Sequence, residues 1–308
     1  MLSLNIKRFT LTQLIYNMYD KNTFTYGFEI EWGDIDRRLV IPEHLGKWEY
    51  AETDIVNENS PYRGIACDPL GISPPFGGEI NTKPTKTWQE QCDRIKEICD
   101  FFYKNDNRPT ASCVNHGHLH IYVPGLKEDI GALKKLVAYI KANQELTIKK
   151  CYQYKEHYAM KDTKTARTYL KWDGGRPMPD WMCDNIINLA TDFDHFIKLH
   201  AAGKDGVSMG RPFRHAINTY CMKHTGTIEF RCFRSSIDTD VEIPNCFKFA
   251  TAFIDAALND GPSVEEILNA GDYKFPPLVY DHDLYVGWEE TKYPKERGEK
   301  KREFHAIA

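Results

Sequence analysis

Three short segments of the chain carry ionisable residues two positions apart in strand-like surroundings. They are Gly27-Phe28-Glu29-Ile30-Glu31-Trp32, His118-Leu119-His120-Ile121-Tyr122-Val123 and Thr227-Ile228-Glu229-Phe230-Arg231-Cys232-Phe233. Residues i and i+2 of a β-strand point to the same side of a sheet, so each segment places charged or metal-ligating groups on one face and apolar groups on the other. Crowded glutamates repel each other, so such a face persists only if it is wet or if cations neutralise it. The pattern predicts a divalent cation with an anionic ligand bound above it.

Each pair taken alone has a simpler interpretation. A Glu-x-Glu pair such as Glu29 and Glu31 is common on solvated strand faces, and Glu79 alone is a carboxylate at the edge of a loop. Two neutral imidazoles on one strand face, such as His118 and His120, can ligate a divalent ion, but most His-x-His pairs are incidental. The metal interpretation therefore depends on all these residues meeting on one face.

Basic residues gather around the third segment. Glu229 and Arg231 alone would form an ordinary surface pair of opposite charges. Arg214 and Lys223 fall in the same predicted hairpin, together with Arg211 and Arg234. Arginines beside carboxylates suit a polyphosphate, because a metal bridges its oxygens while guanidinium groups clamp it. The sequence contains neither a P-loop nor a dinucleotide-binding fingerprint.

The predicted elements alternate irregularly. Strands are predicted at residues 23–32, 79–82, 113–123, 213–221 and 225–234, the last two as a hairpin. Helices are predicted from Trp88, after Asp129, at residues 179–199, at residues 243–259 and after Ser263. Helix starts follow from the capping sequences Thr87-Trp88-Gln89-Glu90 and Ser263-Val264-Glu265-Glu266. Strands separated by helices without regular βα alternation predict an α+β fold with one mainly antiparallel sheet.

Composition excludes several classes of protein. A chain of 308 residues with 42% hydrophobic content can bury a sizeable core. The net charge of -4 gives no general electrostatic case for nucleic-acid binding. Nine cysteines without a Cys-x-x-Cys pair argue against a disulfide framework and a zinc ribbon. No apolar run of about 18 residues and no signal-peptide pattern are present, so we expect a soluble, cytoplasmic protein without a membrane partner.

One region, residues 149–172, is basic and aromatic. It carries seven lysines and arginines against two acidic residues, with four tyrosines and a tryptophan between them. Such a surface could bind nucleic acid or another polyanion, but a lid that closes over the site is the favoured interpretation. The predicted organisation is an N-terminal extension at 1–22, a catalytic domain at 23–280 with an insertion or lid at 149–178, and a charged tail at 281–308.

Five motifs in order resemble those of the amidoligase family, which is similar to glutamine synthetase and glutamate-cysteine ligase. They are Gly-Phe-Glu-Ile-Glu at 27–31, Glu-Ile-Asn-Thr-Lys-Pro at 79–84, Gly-His-Leu-His at 117–120, Arg-His-Ala-Ile-Asn at 214–218 and Ile-Glu-Phe-Arg at 228–231. The resemblance covers about residues 24–260. It implies an antiparallel, funnel-like sheet flanked by helices, with ATP and two or three magnesium or manganese ions between the nucleotide and the acceptor substrate.

The resemblance implies a metal role for five residues. Glu29, His118 and Glu229 would hold the metal that bridges the terminal phosphates of ATP. Glu31 and Glu79 would hold a metal nearer the substrate carboxylate.

It also implies roles in nucleotide binding and catalysis. Arg231 would stabilise the phosphoryl group during transfer, and Arg214 would contact phosphate or substrate. Lys223 and His120 are further candidates for binding the phosphates. A carboxylate must accept the proton of the attacking amine, and Glu79 or Glu31 could do so.

The implied activity is that of an ATP-dependent ligase that joins a carboxylate to an amine. It would form an acyl phosphate and release ADP, and the substrate would be an amino acid, peptide or protein. Two alternatives are a metal-dependent hydrolase that uses the His-x-His strand, and a non-catalytic polyanion-binding protein. The hydrolase lacks further histidines at metal-ligand spacing, and the polyanion-binding protein would leave the glutamate face unexplained.

Overall fold

One antiparallel sheet organises the part of the chain that the computed structural model describes, residues 19–36, 39–49, 76–106, 116–151, 177–202, 215–234 and 238–275. Its strands are β1 (Thr25–Asp36), β2 (Gly46–Glu49), β3 (Phe76–Thr82), β4 (His116–Tyr122), β5 (Ile217–Asn218) and β6 (Thr227–Arg234). Their spatial order is β2-β3-β1-β4-β6-β5, and every neighbouring pair is antiparallel. The predicted α+β class with one antiparallel sheet is confirmed.

The described residues form six α-helices, and capping side chains mark the start of three of them. They are α1 (Trp88–Lys104), α2 (Ile130–Cys151), α3 (Asp180–Leu189), α4 (Phe193–Ala201), α5 (Glu242–Leu258) and α6 (Val264–Ala270). The Thr87 hydroxyl accepts a hydrogen bond from the Glu90 amide at the start of α1. Ser263 and Glu266 form a reciprocal capping box at the start of α6. Both caps agree with the sequence prediction, because each satisfies amide groups that the first turn leaves without a partner.

The helices cover one face of the sheet. The Phe247 ring of α5 lies 5.7 Å from Phe28 on β1, and the Phe253 ring lies 5.6 Å from Phe230 on β6. Ile30, Ile80, Leu119 and Ile121 are fully buried on these strands. The alternate positions of the same strands, which include Glu29, His118 and His120, therefore face the other side of the sheet.

The predicted helix at 179–199 is wrong as a single element. It is split into α3 and α4 at Ala190, Thr191 and Asp192. The Asp192 carboxylate accepts a hydrogen bond from the His195 amide at 2.8 Å and so starts a new helix. The apolar spacing continues across the break, which is why helical periodicity alone did not reveal it.

The predicted strand at 213–221 is also wrong in its extent. Within the described residues, strand pairing covers only Ile217 and Asn218, and a 3₁₀ turn follows at Tyr220–Lys223. The side-chain oxygen of Asn218, Oδ1, accepts a hydrogen bond from the Tyr220 backbone amide at 3.1 Å. This side-chain bond competes with strand pairing and turns the chain toward β6.

Several predicted regions lie outside the described residues. These are most of the N-terminal extension, residues 152–176 of the predicted insertion at 149–178, and the charged tail at 281–308. Seven described cysteines are free, and six of them are buried, while Cys221 is partly exposed. Among the residues described, every helix is too short or too polar to span a bilayer.

His200 makes the stability of the fold sensitive to acid. Its ring is fully buried beside Phe196, and its Nε2 lies 2.9 Å from the Thr219 hydroxyl oxygen. Burial, together with the nearby His215, lowers the pKa of His200 to about 3. The unfolded chain binds a proton here below about pH 6.5 and the native protein does not, so the stability decreases as the pH falls through this window.

We expect the unfolding free energy of the wild type, measured relative to that of His200→Gln, to decrease by about 1 kcal/mol between pH 7 and pH 5.5. Glutamine does not titrate, so the variant lacks this proton uptake. Urea unfolding of both proteins at the two pH values measures the difference. A gap in unfolding free energy that stays constant with pH would contradict a neutral, buried His200.

Candidate metal and phosphate site

Strand register brings the residues of the three sequence segments together. Glu29 on β1 lies directly opposite His118 on β4, and His120 lies directly opposite Glu229 on β6. Residues directly opposite each other in an antiparallel pair share a face, with their Cβ atoms about 5 Å apart. The central strands therefore build a single patch from side chains that are far apart in the sequence.

Glu29 joins the two imidazoles. Its Oε2 lies 2.7 Å from Nδ1 of His118, and its Oε1 lies 2.9 Å from Nε2 of His120. An ionised carboxylate only accepts hydrogen bonds, so Nδ1 of His118 donates to it, while Nε2 of His120 forms an ion pair with it. The Thr227 hydroxyl oxygen lies 2.8 Å from the other nitrogen of His120 and fixes the orientation of that ring.

Both oxygens of Glu229 are engaged. Asn218 donates from Nδ2 to Oε2 at 2.6 Å, and Nη1 of Arg231 donates to Oε1. The same Oε1 lies 3.7 Å from Nδ1 of His118. The side chain of Glu229 is only 5% exposed and that of His118 is 4% exposed. A carboxylate this deeply buried needs such partners, because a lone buried charge is very costly.

A β-bulge in β6 positions the Arg231 side chain in the site. Gly117 pairs with Phe233 and Leu119 pairs with Phe230, so β6 contains one extra residue over this stretch. The Arg231 amide donates to the Ala216 carbonyl at 2.8 Å and holds the bulge in place. Nη1 of Arg231 then lies 3.4 Å from Nδ1 of His118. The bulge thus places the guanidinium group between Glu229 and the His118 ring.

Opposite charges balance in this patch. Burial raises the pKa of Glu29, but its bonds to His118 and His120 outweigh burial and hold that pKa well below its usual value. Burial lowers the pKa of His120, but contacts with Cys221 and Glu29 raise it well above its usual value. Two carboxylates thus face a protonated imidazole and a guanidinium group. The protein's own cations neutralise this part of the face, whereas the sequence pattern assigned that role to a divalent metal, and the metal stays a prediction.

Opposing effects also set the pKa of Glu229. Burial raises its pKa, but the charges of Arg231, His120 and His118 lower that pKa below its usual value. The carboxylate is therefore ionised at neutral pH although it is buried.

Glu29, His120 and Glu229 could hold a metal ion. Each offers one ligand atom, and these atoms all lie within 4.8 Å of one another. Carboxylate oxygens suit Mg²⁺ and Mn²⁺, and a neutral imidazole suits the transition metals, so two oxygens and one nitrogen are an acceptable donor set for Mn²⁺ once His120 has released a proton. Three protein ligands leave coordination positions for a bound anion. The grouping contains His120, whereas the family resemblance implied His118, whose Nδ1 faces Glu29 and Glu229.

The other predicted site residues fall into three groups. Glu79 on β3 lies opposite position 31 of β1, as expected for a shared second site, but the side chain of Glu31 lies outside the described part of the structure. Lys223 contacts Tyr220, with its Nζ 3.4 Å from the hydroxyl oxygen and 5.7 Å from the ring centre. Arg214 lies outside the described residues. Their predicted roles stay predictions.

Three polar residues received no role from the sequence and lie in contact with the site. Asn218 binds Glu229 and Thr227 binds His120, as described above. Cys221 has its Sγ 3.8 Å from Nδ1 of His120. Thr227 lies two positions before Glu229 on the same strand, so alternation could have found it. Asn218 and Cys221 reach the site through a turn that no periodic pattern marks.

Among the predicted site residues, Arg231 has a guanidinium group that contacts the buried carboxylate of Glu229. Comparisons with family models, with curated proteins and with solved structures give no match to the chain.

Proposed function

We propose that the protein is an ATP-dependent ligase that joins a carboxylate to an amine and releases ADP. The proposed fold is the funnel-like sheet of the glutamine synthetase and glutamate-cysteine ligase type, within the α+β class described above. The catalytic domain would span residues 23–280. The reaction would take place in the cytoplasm, in keeping with the seven free cysteines of the described residues.

One observation carries the proposal. The three segments of the sequence that resemble amidoligase motifs and lie within the described strands meet on one sheet face. There Glu29, which is half-buried, and the buried His120 and Glu229 form one grouping, and Arg231 contacts Glu229. A surface salt-bridge ladder does not explain this arrangement, because such pairs are exposed and contribute little to stability. A site for a cation and a phosphate chain does explain it.

The proposed roles follow from the chemistry of each group. Mg²⁺ or Mn²⁺, held by Glu29, His120 and Glu229, would neutralise the negative charge of the ATP phosphates. Arg231 would donate hydrogen bonds to the phosphoryl group in transfer, where positioned charge supplies most of the rate enhancement. His118 would orient Glu29 through its Nδ1 proton. The amine would then attack the acyl phosphate formed on the substrate carboxylate.

A second carboxylate pair would serve the acceptor substrate. Glu79 is partly buried on β3 and faces position 31 of β1. A proton must leave the amine during attack, and a carboxylate within hydrogen-bonding distance is a suitable acceptor. Glu79 is the proposed base, with a second metal as its possible partner. The substrates belong to the amino-acid, peptide or protein class. The predicted lid at 149–178 stays a proposal for residues 152–176, because residues 149–151 end α2 and Met178 is buried against Gln144.

The metal-dependent hydrolase is the second candidate, and one observation favours it. Both imidazoles of the His-x-His strand reach the same carboxylate, Glu29, so two histidines contact one glutamate. Zinc hydrolases bind their metal with two histidines and a glutamate. A hydrolase has no need of Arg231 beside Glu229, which is why the ligase is preferred.

We expect ATP turnover to yield ADP and phosphate when the protein is incubated with Mg²⁺, amino acids and amines. An acyl phosphate also reacts with hydroxylamine, so a hydroxamate should accumulate when hydroxylamine replaces the amine. Chromatography of the nucleotides and a colour test for hydroxamate measure the two products.

The Glu229→Gln protein, purified in parallel, is the control for contaminating ATPases. AMP and pyrophosphate as the products would contradict the proposed chemistry. Zinc-dependent hydrolysis of amides or esters without nucleotide would support the hydrolase instead.

A further inference from the structure

His120 has a different neighbour at each ring nitrogen. Nδ1 lies 2.8 Å from the Thr227 hydroxyl oxygen, and Nε2 lies 2.9 Å from Oε1 of Glu29. A neutral imidazole carries one proton, on either nitrogen, and only the other nitrogen has a lone pair for a metal ion. The partner of Nδ1 therefore decides which nitrogen of His120 can serve the Glu29–His120–Glu229 grouping.

A short chain of hydroxyl groups gives the hydrogen bond at Nδ1 its direction. The Thr225 hydroxyl donates to the Cys221 backbone carbonyl at 3.0 Å, and a carbonyl oxygen only accepts. The hydroxyl oxygens of Thr225 and Thr227 lie 2.6 Å apart. Because the single hydroxyl proton of Thr225 is used at the carbonyl, the Thr227 hydroxyl is the donor between the two. The Thr227 oxygen then has only lone pairs left for His120, so it accepts from Nδ1.

The turn before β6 builds this chain of hydroxyls. Gly226 lies between the two threonines and has a φ of 79°, in the left-handed region that glycine adopts readily. The Thr227 backbone amide also donates to the Thr225 hydroxyl oxygen at 3.3 Å. Thr227 lies two positions before Glu229, which pairs with His120, so its side chain shares the face of the site. The turn thus delivers an oriented acceptor to Nδ1.

The Cys221 thiol is a weaker partner for the same nitrogen. Its Sγ lies 3.8 Å from Nδ1, whereas the Thr227 oxygen lies at 2.8 Å. Thiol sulfur is also a weak acceptor compared with a hydroxyl oxygen. The bond to Thr227 therefore fixes the position of the proton.

We propose that Thr227 is a positioning residue that holds the proton of neutral His120 on Nδ1 and leaves the lone pair of Nε2 as the ligand for a divalent cation. The inference deepens the proposed function and rests on its cation site. Nε2 is buried and faces Glu29, which belongs to the same grouping. Groups that hold the second nitrogen of a metal-ligating histidine fix its tautomer and its ring orientation.

Thr227→Val tests the role through metal affinity. Valine keeps the β-branched shape but removes the acceptor. The tautomer with its proton on Nε2, which Glu29 binds, then becomes more favourable and competes with the metal. We expect the Mn²⁺ affinity to fall about 10- to 100-fold. Titration followed by electron paramagnetic resonance measures it, and circular dichroism establishes that the variant is folded.

Thr227→Ser is the matched control, because serine keeps the hydroxyl group. Its Mn²⁺ affinity should stay within about threefold of the wild type. An unchanged affinity in Thr227→Val, or equal losses in the valine and serine variants, would overturn the positioning role. A loss in Cys221→Ala as large as that in Thr227→Val would assign the role to the sulfur and overturn that of Thr227.

Nuclear magnetic resonance identifies the nitrogen itself. Zn²⁺ is a diamagnetic probe that accepts nitrogen and oxygen ligands. In protein with ¹⁵N-labelled histidine, the ring-nitrogen shifts of the Zn²⁺-loaded wild type should show coordination of His120 through Nε2. Coordination through Nδ1, or a wild type that binds neither Zn²⁺ nor Mn²⁺, would overturn the proposal.

The positioning role and the ligase activity fail separately. In the metal-free protein, the His120 Nδ1 proton should give a hydrogen-bonded resonance in the wild type and in Thr227→Ser but not in Thr227→Val. This resonance and the loss of Mn²⁺ affinity in Thr227→Val, without ADP-forming turnover, would leave the positioning role and remove the ligase. ADP-forming turnover with a Mn²⁺ affinity that Thr227→Val does not change would remove the positioning role and leave the ligase.

Discussion

Arg231→Lys is expected to lower turnover about a hundredfold while changing nucleotide affinity much less. Lysine keeps the positive charge but loses the planar, two-pronged donor that matches phosphate oxygens. An interaction that strengthens in the transition state affects turnover more than ground-state binding. Loss of one well-placed donor to transition-state charge costs on the order of 3 kcal/mol. Steady-state kinetics with ATP and the identified substrates, together with nucleotide titration, measures both quantities.

A matched control is Arg94→Lys. Arg94 lies on α1 and is half-buried, and its Nη1 donates to the Lys83 carbonyl at 2.5 Å. Turnover of this variant should stay close to that of the wild type. If Arg231→Lys were as active as the control, Arg231 and Glu229 would be a structural pair without a catalytic role.

Mg²⁺ or Mn²⁺ is expected to raise the unfolding free energy by roughly 2.7 kcal/mol at a hundredfold excess over the dissociation constant. A ligand that binds the native state and not the unfolded chain has this effect. Glu29→Gln should abolish it, because Glu29 supplies one of the three ligand atoms and contacts both imidazoles. Thermal or urea unfolding with the metal and with EDTA measures the difference.

Glu43→Gln is the control for this experiment. The side chain of Glu43 is 97% exposed, and its Oε1 lies 3.5 Å from Nζ of Lys83. The variant should keep the full metal response. Unfolding that is indifferent to Mg²⁺, Mn²⁺ and EDTA in the wild type would show that the carboxylates do not share a metal site.

Alternation and capping were enough to predict most of the elements and the shared face. Glu29, His118 and Glu229 each occupy the face that the alternation of Phe28, Leu119 and other apolar residues requires. Strand pairing then brings them together because each segment lies near the middle of its strand. The helix starts were predictable for a similar reason, since Thr87 and Ser263 satisfy amides of the adjacent turn.

The finer arrangement depends on register, which the sequence does not encode locally. His120 rather than His118 completes the candidate metal grouping, because pairing of β4 with β6 places His120 opposite Glu229. Asn218 reaches Glu229 through a turn stabilised by its own side chain. The break at Asp192 was missed because a helix cap inside a continuous apolar pattern leaves the period unchanged.

The bulge in β6 also lets residues of the site change without a change in the packing of the core. In a strand of strict alternation, Phe230 and Phe233 would point to opposite faces, yet both rings are buried and stack 6.1 Å apart. The two residues between them, Arg231 and Cys232, occupy the extra length. A change at position 231 therefore need not move either ring. The strand can acquire a different anion-binding side chain there while its aromatic anchors keep their places.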